Sequence, residues 1–210
     1  MNNPKVIKII KRNPQLIVFV GFFIYAFSLG AMFPRLDDIQ TSLAIDKAEL
    51  GVLLLCIPLG LQVTLIFADR LVRAIPFKNI ICFGIPSICF MQFAAVAINQ
   101  IAFFAFFLIV CGAFVAVVEV AINLEADRVE HALGSRIMNR SHAFWSIGFF
   151  SAAVVGALFS QVKVMLEIHF LLICGISFVI SKIIFEDYVV ASPRHANVTK
   201  IKKYSLPTGP

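Results

Sequence analysis

Residues 101–118 read IAFFAFFLIVCGAFVAVV, eighteen positions without a charge or a proline. As an α-helix this run is about 27 Å long at roughly 1.5 Å per residue, close to the ~30 Å hydrocarbon core of a bilayer. Its apolar residues are continuous rather than alternating, which argues against a barrel strand. A helix is then the way to satisfy every backbone group in lipid. Five further stretches have the same character: Leu16–Phe33, Leu50–Ala68, Ile80–Ile98, Ala143–Ser160 and Ile168–Phe185. The run from Ile101 to Val118 is expected to continue as helix to about Leu124. Composition agrees, with 60% apolar and 14% charged residues where a soluble domain carries about 25% charged. The expected fold is all-α and membrane-embedded. It has six transmembrane helices over residues 16–185, a tail over 1–15 and a second tail over 186–210.

The first run follows Lys5, Lys8, Lys11 and Arg12 as a signal peptide's would. It is longer than a signal's apolar region, and no small-residue cleavage site follows it near Gly30-Ala31-Met32-Phe33, so it reads as a span. Only Asn99-Gln100 separate the third and fourth spans, which must form a tight antiparallel hairpin. Pro58 and Pro86 should kink the second and third helices. Gly148, Ala152 and Gly156 recur every four residues on the fifth, a small-residue face that lets another helix approach closely. The five Cys all fall in apolar runs, with no C-x-x-C pair, and read as small buried apolar residues rather than a disulfide or zinc framework.

Orientation follows the Lys and Arg residues of the loops. The N-terminal tail carries four. The second loop carries Arg70, Arg73 and Lys78, and the fourth carries Arg128, Arg136 and Arg140. Lys182, Arg194, Lys200, Lys202 and Lys203 close the chain. Fifteen cations therefore lie on one side against Arg35, Lys47 and Lys163 on the other. The expectation is an inner-membrane, multi-pass protein with both termini cytoplasmic. The net charge of +6 is accounted for by those loops, so nucleic acid is not an expected partner, and the lipid bilayer is.

Polar residues within spans are functional candidates. Glu119, Asn123 and Asp127 share a helix face at i, i+4 spacing, and Glu130 lies one turn further. Glu119 and Asn123 are candidates for solute contact or ion coupling. The alternative is an interfacial acid held by Arg128, Arg136 or Arg140. Gln62 and Gln92 either face a cavity or bond a neighbouring helix. Trp145 is expected in the interfacial aromatic belt, beside His142. Arg35, with Asp37 and Asp38, is either an outer gate or part of a solvated loop. Gating or interface roles are expected of Asp69, Arg73, Asp127, Glu130, Arg136 and His142.

Local motifs carry a resemblance. Phe33-Pro34-Arg35-Leu36-Asp37-Asp38-Ile39-Gln40, followed by Glu49-Leu50-Gly51, is similar to the R-x-x-D-I-Q…L-G segment of the YbjJ-type, fucose-permease-like branch of the major facilitator superfamily. Glu119-Val120-Ala121-Ile122-Asn123, Val129-Glu130, Gly134-Ser135-Arg136-Ile137-Met138 and His142-Ala143-Phe144-Trp145-Ser146-Ile147-Gly148 resemble its acid-V-A-x-N…V-E…G-R-x-x-M…H-x-x-W-S-x-G run. The family's loop signature, G-x-x-x-D-R-x-G-R-R, is degraded. Asp69 replaces its first glycine, Arg73 its aspartate and Pro76 its turn glycine. The Gly-Pro antiporter motif of the fifth helix is absent.

The resemblance implies two inverted three-helix repeats, the N-terminal half of a twelve-helix transporter. It also implies a solute cavity lined by the first and fourth helices, with Glu119, Asn123 and Gln62 in contact with solute or coupling ion. A second six-helix half or a homodimer would complete it. The last residues, Ser205-Leu206-Pro207-Thr208-Gly209-Pro210, resemble the family's central linker. The expected function is therefore a secondary-transporter half moving a small, unidentified solute by alternating access, or else a truncated, transport-inactive fragment. No enzyme chemistry or cofactor is expected, because no Walker loop or G-x-S-G nucleophile motif occurs.

Overall fold

The computed structural model describes residues 13–193. The basic tail residues Lys5, Lys8, Lys11, Arg12, Arg194, Lys200, Lys202 and Lys203 lie outside them. The described residues fold into six helices long and apolar enough to cross a membrane: α1 Pro14–Leu43, α2 Lys47–Ala74, α3 Phe77–Ile98, α4 Ile101–Leu133, α5 Met138–Gln161 and α6 Leu166–Phe185. No strand occurs among them.

Every helix but α6 runs past its apolar core, because helix ends are set by caps and not by hydropathy. α2 starts at Lys47, where the Asp46 carboxylate accepts from the Glu49 N–H at 2.8 Å and Glu49 accepts from the Asp46 N–H at 2.9 Å. This reciprocal box satisfies two orphan donors. α4 was expected to end near Leu124 and instead reaches Leu133, closed by Gly134 at φ 63°. Glu125, Asp127, Arg128 and Glu130 end the apolar run without ending the helix, since Glu and Arg are good helix formers and one Asp among them costs only a fraction of a kcal/mol. At the opposite end of α4, Asn99 takes φ 50° and turns the chain between α3 and α4.

The prolines act where expected. Pro58 lacks an N–H, and α2 breaks at Leu55 between its two helical stretches, Lys47–Leu54 and Cys56–Ala74. Pro86 follows a π turn at Ile80–Gly84 that opens α3. Pro34 sits in a 3-10 turn, Phe33–Arg35, that tightens the far end of α1.

The helices do not pack in chain order. α2 lies mainly against α4, α5 against α1, and α3 against both α4 and α6. The α2/α4 and α1/α5 pairs are the two most extensive contacts among the described residues. Both crossings rest on glycine. A Cβ on Gly60 of α2 would run into the Ile109 carbonyl of α4, and one on Gly112 of α4 into the Ile57 carbonyl of α2. In the other crossing, a Cβ on Gly148 of α5 would strike the Phe23 carbonyl of α1, and one on Gly30 would sit 3.1 Å from Ala152 and Phe149. Ala152 and Gly156 are buried on the same face of α5, Gly156 against Pro34. Small residues at these points let backbones touch, which is how helices gain packing energy in lipid.

The core sits among α1, α3, α4 and α6. Gln92 of α3 is fully buried there. Its amide nitrogen donates to the carbonyls of Ser28 and Leu29 on α1, both at 3.3 Å. Ser28 also shares a 2.7 Å hydroxyl bond with Ser177 of α6. Gln92 is thus an interhelical staple. By contrast α2 and α5 expose most of their apolar surface, including Leu59, Val63 and Ile66 on α2 and Ile147, Phe150 and Leu158 on α5.

Candidate functional site

Four helices leave a hollow of about 360 Å³ between them. α1 contributes Phe22, Tyr25, Leu29 and Phe33. α2 contributes Ile57, Pro58 and Leu61, where the break at Leu55 turns the helix. α4 contributes Val115, Glu119 and Asn123, and α5 contributes His142 and Trp145. A second hollow of about 530 Å³ shares Glu119, Asn123 and Leu61 and continues along α4 to Asp127.

Glu119 is the acid of this recess. Its carboxylate accepts a 3.2 Å hydrogen bond from the buried Tyr25 hydroxyl of α1. None of Arg128, Arg136 and Arg140 holds it. Arg128 instead faces Glu125 at 3.5 Å, and Arg136 and Arg140 are exposed. Glu119 lies eighteen residues past Ile101, about 27 Å along α4 at ~1.5 Å per residue. Its partner Tyr25 is eleven residues into α1, roughly 16 Å from that helix's start. Counted from Ile101, the exposed Glu119 side chain falls near the predicted cytoplasmic edge of a ~30 Å core, and Tyr25 reaches it from α1. Asn123 donates to the Glu119 carbonyl one turn back at 2.8 Å.

The other expected residues separate into groups. Gln62 is exposed on α2 and does not line the hollow, although its neighbour Leu61 does. His142 meets the Phe22 ring edge-on at 5.3 Å, and Trp145 stacks on Phe149 at 5.3 Å. Trp145 therefore walls the recess as well as facing the helix end. Asp69 and Arg73 pair with each other within α2, through bonds of 3.0 and 2.7 Å, both highly exposed. Glu130 accepts from the Ile137 and Met138 N–H groups at 2.7 and 2.9 Å, capping the start of α5 from α4.

Arg35 is 2% exposed, so the solvated-loop expectation is wrong. Its guanidinium bonds the Asp38 carboxylate, donates to the Val164 carbonyl at 2.6 Å, and lies 3.3 Å from Nδ1 of His169. It belongs to a buried junction of α1, α6 and the segment between α5 and α6, not to the hollow.

Glu125 was missed. It is fully buried on α4. Its carboxylate accepts from the Tyr188 hydroxyl at 2.6 Å and the Ala191 N–H at 2.8 Å. Burial and the adjacent Glu125 carboxylate push the Tyr188 phenol well above its ordinary value. The signal was available. Ile122, Glu125, Ala126 and Val129 fall at i, i+3, i+4 and i+7, the core stripe of a helix, and one member is an acid.

The bundle of six long apolar helices thus holds a hollow of small-molecule size that carries one acid, Glu119. The chain is similar to an uncharacterized MFS-type transporter of Yersinia pestis, at 29% identity over 145 residues, covering 69% of this chain and 37% of that protein. It is also similar to an uncharacterized transporter of Sinorhizobium fredii, at 27% identity over 161 residues, covering 76% of this chain and 42% of the relative. Both relatives are named as transporters, the first of MFS type. The chain spans about two fifths of the length of these curated relatives. No family model and no solved structure matches it.

Proposed function

We propose that this chain is the first six-helix half of a secondary transporter of the YbjJ-type, fucose-permease-like branch. It moves a small solute across the inner membrane by alternating access, with both termini in the cytoplasm. The observation that carries this reading is the recess itself. It is walled by α1, α2, α4 and α5 and holds Glu119, bonded by Tyr25 of α1. Half of a midplane cavity has this form when its other half is contributed by a second six-helix unit. The bare faces of α2 and α5 flank the recess, where a second half or a second copy of the chain would lie.

In this reading Glu119 carries the coupling proton and Asn123 touches the solute. The buried junction at Arg35 and the Glu125 contact lie toward the outer and cytoplasmic ends. The test is flux into liposomes loaded with a pH-sensitive dye and containing the purified chain. A solute panel should include one member that changes internal pH. Glu119→Gln should abolish that change while leaving helicity intact. Absence of solute-driven pH change and of labelled-solute uptake across the panel, with the chain folded and crosslinked as a dimer in the liposomes, would end the reading in which a second copy completes the cavity. Solute flux with unchanged pH dependence in Glu119→Gln would remove the proton from Glu119 alone.

A further inference from the structure

Resting on the transporter reading, we infer that the recess takes a monovalent organic cation, an alkyl- or arylammonium with an apolar body, rather than a neutral polyol or an anion. The inference rests on what lines the hollow and on what does not. Its one carboxylate, Glu119, is bonded by a neutral phenol and enters no ion pair with a described residue. No Lys or Arg is among the lining residues. A carboxylate or phosphate solute would meet repulsion from Glu119 and find no Lys or Arg, the His142 imidazole being the one basic side chain on the wall.

Around that acid the walls are aromatic. Phe22, Tyr25, Phe33 and Trp145 line the same hollow. An ammonium group near an aromatic face is attracted by the ring's negative quadrupole, most strongly to Trp, and the attraction grows when the site is desolvated. The carboxylate and the rings thus favour the same ligand charge. A polyol needs several fixed donors and acceptors. Here the Tyr25 hydroxyl is spent on Glu119 and the Asn123 amide nitrogen bonds its own helix, which leaves His142 and the Trp145 N–H as the other side-chain polar groups on largely apolar walls. The volume of about 360 Å³ lies in the range for small-molecule sites, roughly 300–1,000 Å³.

The chain contains one tryptophan, and it is Trp145, so its fluorescence reports on this recess alone. The experiment titrates the purified full chain in detergent with choline and with 3,3-dimethyl-1-butanol, the uncharged isostere. Tetraethylammonium and a neutral hexose are titrated alongside. The expected result is a saturable change of Trp145 emission with choline or tetraethylammonium. The isostere should act at least tenfold more weakly, and Glu119→Gln should erase that preference. Glu119→Asp serves as a second variant that keeps the charge and should retain it. Equal response to choline and its isostere, a cation response unaffected by Glu119→Gln, or no saturable cation response would overturn the inference. A hexose response without a cation response would do the same while leaving the transporter reading standing. Cation binding that follows this pattern, together with no flux into liposomes carrying the crosslinked dimer, would keep the inference and end the reading in which a second copy completes the cavity.

Discussion

Arg35 fastens one end of α6 and Glu125 fastens the other. Both are buried charges reaching from another helix, Arg35 from α1 and Glu125 from α4. Their signs are opposite and so is their construction. Arg35 has its counter-ion, Asp38, three residues away on the same helix, so its charge is largely neutralised before α6 docks. It then spends its other nitrogens on the Val164 carbonyl and His169. Glu125 has only a long 3.5 Å approach from Arg128. Its short bonds come from Tyr188 and Ala191 in the segment that follows α6. A buried charge is tolerated when paired and hydrogen-bonded. At one end an ion pair meets that need locally, and at the other a distant stretch of chain meets it.

The largest effect should come from breaking the ion-paired end. Arg35→Ala leaves the Val164 carbonyl without its side-chain donor and Asp38 with Ser160 but no counter-ion at this junction. The expected loss is about 3 kcal/mol, the low end for a broken buried pair, because Asp38 is 28% exposed. Thermal or SDS unfolding of the detergent-solubilised chain measures it. A loss no larger than that of a surface substitution would mean the junction is solvated after all.

The Glu125 end should respond less, and differently to charge. Glu125→Ala removes two charge-assisted bonds whose donors can turn to water, an expected loss of about 2 kcal/mol. Glu125→Gln keeps an acceptor of the same shape and should lose about 1 kcal/mol or less. If the two variants lose equally, the charge and not the acceptor geometry holds the trailing segment, and the contrast with Arg35 disappears.

The smallest effect sharpens the comparison through pH. Tyr188→Phe removes one donor, worth about 1 kcal/mol at neutral pH. The Tyr188 phenol is raised above its ordinary value by burial and the carboxylate beside it. A group raised in the folded state contributes fully below its unfolded value, about 10 for tyrosine, and loses that contribution as pH rises beyond it. The stability margin of the native chain over Tyr188→Phe should therefore be constant up to about pH 10 and shrink above it. A margin that grows with pH would contradict the Tyr188–Glu125 bond.

The six spans and the two-residue hairpin were legible because each depends on local hydropathy. What escaped the sequence depends on partners far along the chain. Arg35 looks like a loop residue beside Asp37 and Asp38. Its burial is decided by Val164 and His169, 129 and 134 positions away. Glu119, Asn123 and Asp127 were found as a face, and two of them do line the recess with its aromatic walls. Glu125, six residues from Glu119, points about 240° around the helix at ~3.6 residues per turn, so attention to one face hid the acid on the other. Gln62 shows the reverse error. A polar residue in an apolar helix drew notice, yet α2 packs on α4 through Gly60 and leaves Gln62 outside.

α4 has thirty-three residues, about 50 Å of rod at ~1.5 Å per residue, some 20 Å more than a ~30 Å hydrocarbon core requires. The surplus is a mast standing clear of the lipid. Its rigging is the start of α5, tied at Glu130, and the chain leaving α6, tied at Glu125. Glu119 sits about 21 Å below the masthead at Leu133. A lean of roughly 10° pivoting there would swing the masthead by about 4 Å, carrying both stays with it, so a small movement at the acid becomes a displacement of three helix ends in water.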